Sequence, residues 1–144
     1  MNIRDSIKEG LAGKIRDWKE VSRYRIYLTV ERTDICEVVK FLFTELKMRF
    51  VTASATDMPE ALEILYHFSF DQSGEVYTIR VLLEDKKHLE IDSITPLFNG
   101  AEWIEREMWE LLGINFKGHP NLKRLLLADD WPEGNYPLRR DNES

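Results

Sequence analysis

Leu62 to Phe70 and Val76 to Leu83 read as two strands joined by Asp71-Gln72-Ser73-Gly74, a short polar connection containing a glycine. Such a connection closes a β-hairpin, which commits the middle of the chain to a sheet. Arg25 to Val30 adds a strand, with Ile26, Leu28 and Val30 on one face and Tyr27 and Thr29 on the other. Phe50 to Ala55 adds another, and a short strand is predicted within Leu89 to Ile94, after the charged turn Glu84 to Lys87.

Helical spacing fills the intervals. Ile3, Ile7 and Leu11 mark a short amphipathic helix ending near Gly10 or Gly13. Ile35, Val38, Val39, Leu42, Phe43 and Leu46 form one apolar stripe, with Asp34 as the predicted N-cap and Glu37 at capping-box spacing. Phe41 falls outside that stripe. A last helix is predicted from Asn99 as cap, with Glu102 in the matching position and Gly113 as its stop. The expectation is an α+β domain: a two-layer sandwich with a mixed or antiparallel sheet of about four to five strands covered by helices.

The pattern changes after Gly113. Pro120, Pro132 and Pro137 interrupt a stretch with no helical stripe beyond one turn at Leu122 to Leu127, yet it carries Phe116, three consecutive leucines, Trp131, Tyr136 and Leu138. Such a segment builds no core of its own, and a disordered tail is poorer in large apolar side chains. An extended arm is therefore predicted, with residues 1–116 as the compact domain and 117–144 as a docking arm. At about 3.3 Å per residue, Gly118 to Asp141 spans up to roughly 80 Å. It wraps either a partner or its own domain, and the residues alone leave both open.

Composition narrows the function classes. The chain is 43% hydrophobic and 32% charged, as globular domains are. A net charge of -6 argues against phosphate-neutralising nucleic-acid binding. No apolar run approaches the roughly 20 residues that cross a bilayer, and Met1 to Gly10 lacks the apolar core of a signal peptide, so membrane association is expected to be indirect. Cys36 is the only cysteine, which excludes an internal disulfide, suits a reducing cytosol and cannot by itself ligate an iron–sulfur cluster.

Candidate chemistry is thin. His67 lies in a predicted strand, His88 in a charged turn, and His119 before Pro120, with no metal-ligand spacing among them. Glu102, Glu105, Arg106, Glu107 and Glu110 concentrate charge on one helix, with Glu102–Arg106 and Arg106–Glu110 at i,i+4. A solvated face is the leading expectation for them, ahead of general acid–base chemistry by Glu105 and Glu107 with His119. A third reading follows from Trp103, Ile104, Met108, Trp109, Leu111 and Leu112, which cover more than one side: the helix has two neighbours, and charges trapped between layers are paired. Cys36 near a helix start could have a lowered pKa, but an inert, mostly buried thiol is expected. No phosphate-cradling or dinucleotide glycine pattern is present.

The block Trp103-Ile104-Glu105-Arg106-Glu107, Glu110-Leu111-Leu112-Gly113-Ile114-Asn115-Phe116, Gly118-His119-Pro120, Leu122-Lys123-Arg124-Leu125-Leu126, Trp131 and Pro137-Leu138-Arg139-Arg140-Asp141 resembles the signature of the respiratory-chain NADH dehydrogenase 30 kDa subunit family. That family comprises the C-type subunit of complex I and relatives in energy-converting nickel–iron hydrogenases and F420H2 dehydrogenases. Ser93-Ile94-Thr95 and Ala101-Glu102-Trp103 resemble the approach to the signature, while Lys123 stands where the family more often has Arg. The resemblance implies a subunit without a cofactor of its own, seated on a hydrogenase-like large subunit beside a small iron–sulfur subunit. It places iron–sulfur clusters and flavin or nickel–iron in those partners, and the chain peripherally at the cytoplasmic face of the membrane. It also implies a partner interface at Glu105, Arg106, Glu107, Gly113, His119, Pro120, Arg124, Trp131, Leu138, Arg139, Arg140 and Asp141. A free-standing enzyme and a regulatory adaptor are the rival classes.

Overall fold

A computed structural model describes residues 2–122 and 136–139. The predicted hairpin is its centre: β4 (Leu62–Phe70) and β5 (Glu75–Leu83) pair antiparallel, with Tyr66 opposite Ile79. β2 (Arg25–Val30) lies on the far side of β5 and runs parallel to it, and β1 (Ile15–Ser22) completes that side. β3 (Arg49–Asp57) forms the other edge, giving the order β1-β2-β5-β4-β3 in a mixed five-stranded sheet. The two-layer α+β expectation holds in its sheet and helices, with β1 as an addition.

β1 escaped the pattern for a physical reason. It is an edge strand whose register slips at two irregularities, between Ile15 and Asp17 and between Glu20 and Ser22, so its apolar residues do not alternate. The predicted strand within Leu89 to Ile94 is β6 (Glu90–Asp92), but it leaves the main sheet and pairs in parallel with β7 (Asn115–Lys117).

The inner face of the sheet carries Ile26, Leu28, Ile64, Tyr66, Phe68, Tyr77, Ile79 and Val81, all fully buried. Against it lie Ile7 of α1 (Ile3–Gly10), Leu11 just past its end, and the stripe Ile35, Val38, Val39 and Leu42. That stripe is not one regular helix: α2 (Ile35–Lys40) passes into a π turn over Phe41–Glu45. Phe41 has a role the stripe did not reveal. A Cβ on Gly10 would run into its ring, so the end of α1 seats on Phe41 only because residue 10 has no side chain.

Two predicted caps do not form. Neither Asp34 nor Asn99 makes a side-chain cap bond, because each chain segment enters its helix through a 3-10 turn, Arg32–Asp34 and Asn99–Ala101, whose backbone is already helical. Asn2, which the pattern did not single out, is a true N-cap, accepting from the amide of Asp5 at 2.8 Å. α3 (Glu102–Leu112) packs beside β3 and stops at Gly113, whose φ of +79° is the left-handed conformation expected of it.

Candidate interface: helix α3 and the residues that clasp it

The charged face of α3 is not solvated. Glu105 is 0% exposed, Arg106 6% and Glu110 3%, so the expectation of an open, screened face fails for these three, and the two-neighbour reading describes them. Glu105 turns into the domain. Its carboxylate accepts from Ser93 Oγ at 2.5 Å, Thr95 Oγ1 at 2.6 Å and the Ile94 amide at 3.0 Å. Ser93 Oγ in turn accepts from the Thr95 amide at 3.1 Å. A carboxylate saturated by neutral donors is solvated by protein instead of water, which makes its burial tolerable. The result fixes α3 against the 93–95 turn.

Two neighbours of that knot complete its surroundings. The Cys36 thiol, half-buried, donates to the Ser93 carbonyl at 3.5 Å. Burial, with Asp92 and Glu105 nearby, pushes its pKa up, opposite to the lowering a helix start could give. The Tyr66 hydroxyl is fully buried, has no hydrogen-bond partner among the described residues, and is held well above its ordinary pKa by burial and by Glu105 and Cys36.

Glu105, Glu107 and His119 do not make an acid–base site. Glu105 has no exposed surface and Glu107 is half-buried beside the groove between α3 and β3. His119 is taken up by backbone: the Asn121 amide donates to Nδ1 at 3.0 Å, so the ring proton sits on Nε2, which donates to the Glu102 carbonyl at 3.0 Å. Asn121 Nδ2 also reaches the Glu102 carboxylate at 3.4 Å. His119 thus pins the chain leaving β7 to the start of α3, with Pro120 exposed beside it. His67, on the outer face of the sheet, bonds Thr78 Oγ1 at 2.8 Å; burial and then Arg25 lower its pKa. His88 is exposed. Among the described residues, no group of three His, Cys, Asp or Glu side chains is placed to hold a metal.

The opposite end of α3 is held by residues 136–139. The Leu138 amide donates to the Leu111 carbonyl at 2.9 Å, and Arg139 Nη1 reaches the Leu112 carbonyl at 3.4 Å. The Tyr136 ring lies where a Gly113 Cβ would be, 2.6 Å from its Cδ2, so glycine there serves both the left-handed stop and this close approach. Arg139 Nε pairs with Asp57 at 3.2 Å. Asp57, its carboxylate only 2% exposed, also meets Lys86 at 2.5 Å, whose ammonium caps the Met58 carbonyl as well. Arg124, Trp131, Arg140 and Asp141 lie outside the described residues.

Sequence reasoning missed Asp57 and Lys86. The signal was present in the alternation: Ala53, Ala55 and Asp57 share the inward face of β3, and an acid on an inward face demands partners, either cations or a set of hydrogen-bond donors. It also missed what α3 leaves outside. Trp103 is 64% exposed, with the Arg106 guanidinium 5.6 Å from its ring centre, and Leu138 is 58% exposed. Both are large apolar side chains open to solvent beside a helix on which Glu105, Arg106 and Glu110 are buried.

Comparison with known proteins places the chain in a family. Residues 28–144 match the family described as respiratory-chain NADH dehydrogenase, 30 Kd subunit. The C-type subunit of the NADH-quinone oxidoreductase of Citrifermentans bemidjiense is 35% identical over 139 residues, which cover 94% of this chain and 84% of that one. The joined C/D subunit of the Bacteroides thetaiotaomicron NADH-quinone oxidoreductase is 34% identical over 106 residues, 72% of this chain but 20% of that longer one. A chain of the archaeal membrane-bound sulfane sulfur reductase, a respiratory membrane complex, shares the fold, with a TM-score of 0.85 at 22% identity over 96% of this chain and 82% of that one.

Proposed function

Because this chain belongs to the respiratory-chain NADH dehydrogenase 30 kDa subunit family, we propose that it acts as the C-type subunit of an NADH-quinone oxidoreductase complex, catalysing nothing alone and seating on a larger catalytic partner. The carrying observation is the exposure of Trp103 on a helix whose two ends are fastened by the segments 119–121 and 136–139, and of Leu138 within the second of those segments. Fastening fixes the apolar surface before any partner arrives, which lowers the ordering cost of association. The partner is the hydrogenase-like large subunit, with a small iron–sulfur subunit nearby; the flavin, iron–sulfur or nickel–iron groups belong to those chains. The Bacteroides relative supports a direct neighbour, since its name joins C to D in one polypeptide. Among the described residues no helix is long and apolar enough to cross a membrane; in this reading the chain meets the cytoplasmic face of the membrane through the complex.

A host lacking this chain tests the reading. NADH-dependent quinone reduction by its membranes is lost and returns with the wild-type chain, whereas a Trp103→Ala, Leu138→Ala chain, folded as judged by an unchanged thermal transition, restores little. The purified chain alone oxidises no NADH. Full restoration by the double variant contradicts the docking surface.

A further inference from the structure

The two edges of the sheet are protected unequally. β1 carries Arg16, Asp17, Lys19 and Glu20 and two register irregularities, the usual defences of an exposed edge against adventitious pairing. β3 has neither charge nor proline from Phe50 to Thr56, and among the described residues it pairs only with β4. Beside it runs a groove of about 150 Å³. Ala53, Ser54 and Ala55 all line this groove. A groove lined by three consecutive strand residues lies against the backbone of β3 and not only against one row of its side chains. The opposite wall is Ile104, Leu111 and Leu138, and Glu107 is the only ionisable residue lining the groove among the described residues.

We infer that the free edge of β3 is a strand-addition site, which takes one extended segment of the partner subunit with an apolar side chain in the groove and a Lys or Arg on Glu107. The inference rests on the docking reading above and places backbone pairing beside the Trp103 contact. Leu138 belongs to both, so the groove continues the proposed docking face. Charge selects the occupant: two-fold pairing with a second copy would bring Glu107 towards Glu107 with no cation among the described residues that line the groove. Backbone pairing supplies affinity in such sites, and pockets for alternate side chains supply selectivity.

Hydrogen–deuterium exchange on the complex isolated through a tag on this chain, compared with the free chain, tests it. Amides within 52–56 are expected to slow at least about tenfold on assembly. Glu107→Lys should cut recovery of the complex about tenfold and Glu107→Gln far less, each with an unchanged thermal transition. If the complex assembles and buries Trp103 while 52–56 exchange as in the free chain, strand addition is wrong and the docking reading stands. If no complex is recovered with the wild-type chain, both fall. Slow exchange already in the free monomer assigns the edge to this chain's own residues, and protection that grows with chain concentration alongside a doubled mass assigns it to a second copy; either overturns the partner segment.

Discussion

Glu105 and Asp57 are both buried carboxylates at the ends of the same α3–β3 layer, yet they are satisfied by different kinds of group. Glu105 takes two hydroxyls and an amide from 93–95, close to it in sequence and already part of the domain. Asp57 takes two cations, Lys86 from the turn after β5 and Arg139 from 82 positions away. Neutral local donors make a knot that belongs to the fold; a distant cation makes a latch that holds one segment onto another. The fold therefore depends on the first, and the clasp of 136–139 on the second.

The largest effect that could break this contrast is at Glu105. Glu105→Ala leaves two hydroxyls and an amide buried without an acceptor, and about 4 kcal/mol of stability should be lost in a denaturant titration. The Leu138 amide should exchange no sooner than the domain as a whole unfolds. Asp57→Ala should cost about 3 kcal/mol at most, since Lys86 and Arg139 can partly reach water. Here the Leu138 amide should exchange freely in a domain that is still folded. If the two variants exchange places in that readout, the distinction between knot and latch is wrong.

Two smaller effects sharpen it. The Tyr66 hydroxyl beside Glu105 gains nothing from burial, so Tyr66→Phe should stabilise the domain by about 1 kcal/mol or leave it unchanged. Glu75 supplies a rim carboxylate for comparison. Its burial works to raise its pKa, but bonds from Ser73, Arg4 and Tyr77 outweigh that, and the net pKa is lowered. A lowered folded pKa means stability that is complete above the ordinary glutamate value of about 4.3 and is lost as pH falls through the folded value. Glu75→Gln should flatten that acid limb of the stability curve and cost about 1 kcal/mol at neutral pH.

How much of this was legible in the sequence follows the same division. Ile26 to Val30 and the 62–83 hairpin are period-2 patterns with a single solution, and Gly113 announces its own left-handed turn. β1 was hidden because an edge strand with two irregularities owes its place to β2 and not to its own alternation. Glu105 looked solvated because i,i+4 spacing describes a helix surface but not what packs on it. Asp57 and Lys86 are 29 positions apart, and no local rule joins them. Trp103 was in view as part of a motif, but only the burial of its neighbours shows it to be the exposed member.

Hydroxyl-radical footprinting of Trp103 and Leu138, in the free chain and in the complex purified through it, tests the central claim most directly. Both should be modified rapidly in the free chain and protected about tenfold in the complex, as anchors at the centre of an interface are. Equal modification in the two states would mean that the face held in place by 119–121 and 136–139 is not the one that docks, and would contradict the account.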